Sequence, residues 1–141
     1  MGATERGHRV VPHTADVILE AWGPDLSSCC EEAVAALVSV FAEAGTAPAV
    51  ERRALHLAPR ADDLVLLELL EEVIFTLDTV EQVPVRAEVR PASDGALDAE
   101  LVLADPATIT PTGAVPKAVS RSELAVAEER GRVRCRFLVD V

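Results

Sequence analysis

Val11-Pro12-His13-Thr14-Ala15-Asp16-Val17-Ile18-Leu19-Glu20-Ala21-Trp22 is a polar island followed by an alternating apolar run. Pro12 has no amide donor and interrupts a ladder. Residues 8–11 therefore read as one short strand, 13–16 as a loop, and 17–22 as a second strand closed by Gly23-Pro24. The far end of the sequence has a similar build: the strand-like Val133-Arg134-Cys135-Arg136-Phe137-Leu138-Val139 runs into Asp140-Val141. Chain ends commonly fray, so an Asp closing a strand there predicts a tethered end, with the Asp16 loop and the Asp140 end meeting.

Between these two ends the periodicity changes twice. Asp25 is a good N-cap for a helix from Leu26, although Ser28 stands where a capping box would carry Glu. Leu26, Cys29, Cys30, Ala33, Val34, Leu37, Val40 and Phe41 keep the spacing of one helical face, with Gly45 as the expected stop. Residues 51–58 alternate as a strand. A second helix follows Pro59-Arg60-Ala61, with Asp62 as the expected N-cap and Leu66, Leu67, Leu70, Val73, Ile74 and Leu77 along one face. From Gln82 onward the pattern is all strand: a hairpin of 83–90 and 96–103 across Pro91-Ala92-Ser93-Asp94-Gly95, an irregular stretch 105–113, then strands 115–126 and 133–139. The order ββαβαββββ predicts an α+β two-layer sandwich, two helices packed on a mainly antiparallel sheet.

The 141 residues fit a single domain spanning 1–141, with residues 1–7 expected to be flexible. Half of the chain is hydrophobic but only 3% is aromatic, which requires a core of Val, Leu, Ile and Ala and argues against disorder. With 24 acidic against 13 basic residues the formal charge is −11. Such a chain repels a phosphate backbone unless its arginines are tightly clustered, which disfavours autonomous RNA binding and favours a basic protein partner or a cation. Cys29, Cys30 and Cys135 form no C-x-x-C pair, so neither a disulfide framework nor a zinc site is indicated, and a reducing cytoplasm is expected. The apolar run 64–70 is short and broken by Glu68, which excludes it as a membrane span.

Two carboxylates in one pocket must be protonated, bridged by a basic group or neutralised by a cation. Asp16, Asp140 and a carboxylate at Val141 would form a hard oxygen set suited to Mg²⁺, Ca²⁺ or Mn²⁺. The residues alone favour a turn-capping Asp16 and a solvated Asp140, since isolated surface carboxylates are the norm. Asp63, in the first turn of the second helix, is explained by the helix dipole as readily as by a site. His13 is placed to donate to a carboxylate or to cap its loop. Lys117 is the single lysine beside twelve arginines; a position that needs a compact ammonium would explain it, and chance alone could equally leave one lysine. No phosphate-binding Gly-rich loop, G-x-S-x-G or H-E-x-x-H pattern is present.

His13-Thr14-Ala15-Asp16, Ala61-Asp62-Asp63-Leu64, Pro116-Lys117-Ala118-Val119 and Leu138-Val139-Asp140-Val141 resemble the archease family, in matching order along almost the whole chain. The resemblance implies a small metal-binding protein, not itself an enzyme. It would serve the RtcB type of GTP-dependent RNA ligase through guanylylation and multiple turnover in tRNA splicing or RNA repair, meeting RNA only through the ligase. It assigns Asp16, Asp140 and Val141 to the metal and favours supporting or partner-contacting roles for His13, Asp63 and Lys117. One departure stands out: the family segment usually continues Thr-Tyr-His after Lys-Ala-Val, whereas this chain has Ser120-Arg121-Ser122. Two other classes fit the same carboxylates less well. A metal-dependent hydrolase lacks an identifiable general base, and in a chaperone-like interaction module the acidic surface would act and the metal would be structural.

Overall fold

The computed structural model describes residues 5–11, 16–44 and 46–141. His13 and Gly45 lie outside the described residues, so the expectations placed on them have no structural counterpart.

The chain runs through β1 (Gly7–Val11), β2 (Val17–Gly23), α1 (Leu26–Ser39), β3 (Ala42–Glu43), β4 (Glu51–Leu57), α2 (Asp62–Thr79), β5 (Val83–Pro91), β6 (Leu97–Ala104), β7 (Thr110–Pro111), β8 (Ala118–Val119), β9 (Ala125–Glu129) and β10 (Arg132–Asp140). Every strand pair described is antiparallel. One sheet has the order β1-β2-β10-β8, with β9 also on β10; a second has the order β4-β6-β5; β3 and β7 form a short ribbon. The α+β class with two helices over antiparallel strands is as the periodicity indicated, with the strands divided between sheets rather than collected in one.

Alternation decides which face of each strand is covered. Along β10, Val133, Cys135, Phe137 and Val139 are buried while the residues between them are not. Leu19 and Ala21 of β2 complete that inner face. α1 lies across it, packing on β2 and on β5, so one helix joins the two larger sheets. With Phe137 as the largest fully buried side chain, the core is made of Leu, Val and Ala around Leu37, Leu66, Leu70, Leu101 and Leu103.

Local chemistry differs from the sequence reading at four points. Asp25 caps α1, and Ser28 closes the capping box itself: its N–H donates to Asp25 Oδ1 at 2.8 Å and its Oγ accepts from the Asp25 N–H at 3.3 Å. A hydroxyl thus does the work expected of a glutamate. α1 ends at Ser39, so Val40 is its C-cap and Phe41 lies in the following turn. The second helix is capped not by Asp62 but by Ala61, which makes no side-chain cap; the Leu64 and Val65 N–H groups turn back on the Ala61 carbonyl at 3.0 and 3.1 Å.

The fourth difference is the strand expected over 115–126, which is two strands, β8 and β9, on the same edge of β10. Between them Leu124 N–H donates to the Arg121 carbonyl at 3.4 Å and the Ser120 and Ser122 hydroxyls meet at 3.1 Å, so polar side chains turn the chain away from the ladder. The stretch read as irregular contains β7, followed by Gly113, where a Cβ would stand 2.4 Å from the Val40 carbonyl oxygen. Only glycine fits that approach.

Candidate functional site

β2 and β10 place the two aspartates. Their register runs from Val133 opposite Gly23 to Val139 opposite Val17, and Asp16 and Asp140 are the next residues outward on the two strands. On the other edge of β10, Asp140 pairs with Ala118 and Val139 with Val119, and the Lys117 N–H donates to the Asp140 carbonyl at 2.8 Å. Asp16, Asp140 and Lys117, far apart in sequence, therefore gather at one end of three adjacent strands. Asp16 is half-buried, Asp140 and Lys117 are exposed, and among the described residues the Lys117 ammonium makes no ion pair. Val141 is half-buried and its side chain packs on the core, which leaves only its main-chain oxygens to face a ligand.

Asp63 sits in the first turn of α2, where its Oδ1 accepts the Leu64 N–H at 2.9 Å. That bond serves the helix start and suits the dipole. α2 packs beside β8, and Arg121, just after β8, reaches Glu71 of α2 at 3.7 Å. Among the described residues no three His, Cys, Asp or Glu side chains stand close enough to hold one ion.

In kind, the donors fit a hard cation: two carboxylates with main-chain oxygens beside them, and no thiolate, since Cys29, Cys30 and Cys135 are all buried in the core. In number they fall short of the six to eight oxygens roughly typical of Ca²⁺, so solvent or a partner would complete the shell.

The sequence reading missed a second polar centre on the same sheet. Glu20 of β2 points to the face opposite the core, yet its side chain is only 4% exposed because three arginines close over it. Arg9 Nε donates to Oε1 at 2.6 Å, and Arg134 and Arg136 each donate to Oε2 at 3.1 Å. Burial pushes this carboxyl up, but the hydrogen bonds from Arg9, Arg134 and Arg136 outweigh burial and hold it below the usual glutamate value. One row along, Arg132 lies over the Trp22 ring at 5.7 Å from its centroid. The signal available in sequence was Arg132, Arg134 and Arg136 at a spacing of two; what it lacked was the register that sets Glu20 opposite Arg9 and Arg136.

Among the described residues, no helix is long and apolar enough to cross a membrane. Comparison with known proteins gives a consistent result. Residues 8–141 match the family described as Archease protein family (MTH1598/TM1083). The chain is 43% identical over 138 residues to the probable protein archease of Mycobacterium tuberculosis, in both the CDC 1551 / Oshkosh and H37Rv strains, covering 98% of this chain and 76% of the relative. The fold is similar to the solution structure of Methanobacterium thermoautotrophicum protein 1598, with a TM-score of 0.74 at 21% identity over 96% of this chain and 99% of that one. It is also similar to the crystal structure of an archease, possible chaperone, from Thermotoga maritima, with a TM-score of 0.66 at 16% identity over 94% and 96%. With a family match across nearly its whole length and a relative at 43% identity, the chain belongs to the archease family.

Proposed function

We propose that this protein is a non-enzymatic accessory factor of a GTP-dependent RNA ligase of the RtcB type, acting in the cytoplasm to promote guanylylation and multiple turnover in tRNA splicing or RNA repair. The observation that carries the reading is the meeting of Asp16, Asp140 and Lys117 at one end of the sheet. Asp16 and Asp140, with main-chain oxygens at Val141, would hold a divalent cation of the Ca²⁺, Mg²⁺ or Mn²⁺ kind, and the bound ion would supply positive charge beside the ligase. Lys117 projects from the same end with no ion-pair partner among the described residues, which suits a contact to phosphate or to the ligase. His13 and Asp63 are proposed to support these groups.

The test is a guanylylation assay of a cognate ligase with and without the protein. Faster guanylylation and repeated turnover with the wild type, lost with Asp16→Asn, is the expected result. Unchanged ligase kinetics would overturn the proposal. A chaperone-like interaction module is the second reading, favoured by the words "possible chaperone" attached to the Thermotoga maritima protein. Protein stripped of divalent ions that still activates the ligase would select it.

A further inference from the structure

α2 turns one side to solvent, and that side is not polar throughout. Leu64, Glu68, Glu71, Phe75 and Asp78 follow one another at alternating intervals of four and three residues, which lines them up along a single stripe of the helix. Leu64 is 42% and Phe75 53% exposed. A lone exposed apolar side chain calls for no explanation, but these two share one stripe. Phe75 also stands apart from the other aromatic side chains, of which Phe41 and Phe137 are buried and Trp22 is half-buried. The helix carries six acidic residues and no basic one. Three glutamates are answered from other elements, Glu68 by Arg60, Glu71 by Arg121 and Glu72 by Arg53. Asp62, Asp63 and Asp78 make no ion pair among the described residues, so the helix surface keeps excess negative charge. Asp78 lies in the last turn, where the helix dipole favours a cation and disfavours a carboxylate. Neither Phe75 nor Asp78 serves the fold, and both lie on the same stripe.

We propose that the stripe from Leu64 to Asp78 is a docking surface for a basic, amphipathic segment of a partner protein, with Leu64 and Phe75 as apolar anchors and the carboxylates between and beyond them steering the approach. That the partner is the RNA ligase rests on the function proposed above. Charge limits what can cover the stripe. Nucleic acid and an anionic membrane are repelled, and a second copy of this chain would set the same carboxylates against themselves. A metal ion is not gathered either, since among the described residues no three acidic side chains stand close enough to share one. A basic protein surface carrying apolar side chains complements both features. The dimensions suit such a segment: the stripe is roughly 21 Å long, and beside Leu64, Glu68 and Glu71 it opens into a groove of about 470 Å³ that Arg60 and Arg121 also line. Its place in the fold agrees. Leu64 follows Asp63, α2 packs beside β8, and β8 pairs with β10 at Asp140, so a protein seated on the stripe adjoins the end where Asp16, Asp140 and Lys117 gather.

The test is biolayer interferometry of the full chain against a cognate ligase in a salt series, with guanylylation followed for the same variants. Wild-type affinity should fall as salt rises, since the carboxylates are exposed. Phe75→Ala should weaken binding about tenfold. Asp78→Lys should weaken it about tenfold at low salt and less at high salt, while thermal unfolding shows a fold no less stable than the wild type, because a cation in the last turn suits the dipole. That pairing of a kept or improved fold with lost binding is not what a structural role for Asp78 would give. Both variants should need more protein for half-maximal stimulation of guanylylation and reach the wild-type plateau. Val50→Ser and Glu51→Gln, also exposed but at the start of β4, should change neither quantity. Unchanged affinity in Phe75→Ala and Asp78→Lys, or an equal loss in Val50→Ser, overturns the docking surface and leaves the ligase reading standing. Ligase binding that these two variants weaken, without any stimulation of guanylylation, overturns only the activation reading. No ligase binding by the wild type overturns both.

Discussion

The Lys117 N–H donates to the Asp140 carbonyl at 2.8 Å, which ties the single lysine of the chain to the strand end that carries one of its two candidate metal-binding aspartates. Asp16 is brought to the same end from the opposite edge of β10. Divalent-ion binding should therefore depend on both carboxylates. Asp16→Asn and Asp140→Asn keep size and hydrogen bonding while removing charge. Both positions lie at strand ends outside the core, so stability should move by no more than about 0.5 kcal/mol. Calorimetric titration with Ca²⁺, Mg²⁺ and Mn²⁺ should show binding to the wild type and none to either variant. Unchanged affinity in both would remove the site.

Lys117→Arg separates charge from shape. The side chain is exposed, so the variant should fold and bind metal as the wild type does. A planar guanidinium differs in reach and hydration from an ammonium. If the position requires the compact cation, ligase activation should fall with Lys117→Arg and fall further with Lys117→Ala. Full activation by Lys117→Arg would show that any cation suffices there.

The three cysteines should be inert. Cys29, Cys30 and Cys135 are all buried; burial pushes the Cys30 thiol up, and a hydrogen bond with Cys29 together with burial does the same for Cys135. Thiolate is the reactive form, so iodoacetamide should leave the native protein unmodified and label all three after denaturation, as read by mass spectrometry. Rapid native labelling would mean that α1 parts from β10.

Alternation made β2, β10 and the β5–β6 hairpin legible, because one face of each is packed and the period of two is strict there. The split of 115–126 into β8 and β9 was not legible: Ala125 and Val126 continue the apolar alternation, and only the turn bonds of Ser120, Ser122 and Leu124 break it. The meeting of Asp16 with Asp140 could be expected from two strand ends bearing aspartate, and register then supplied it. The Glu20 centre could not be found the same way. A glutamate in an alternating strand reads as solvent-facing, and its burial is produced by arginines 11, 114 and 116 residues away.

Glu20 sets a stability prediction with a definite sign in pH. Its folded-state carboxyl is held below the ordinary value by Arg9, Arg134 and Arg136. A depressed carboxylate contributes stability that is fully present above its unfolded value, near about 4.3, and is lost as pH falls through the lower folded value. Glu20→Gln keeps the shape but cannot titrate, and it leaves three guanidiniums without their shared anion. At about pH 7 the variant should be less stable by roughly 2 kcal/mol, a figure set below that for a fully buried pair because the arginines are partly solvated. Urea unfolding should show this difference constant from about pH 7 down to about pH 5, then shrinking below about pH 4 as the wild type gives up the same contribution. A difference that stayed constant into strong acid would mean that Glu20 stabilises through packing and not through its charge.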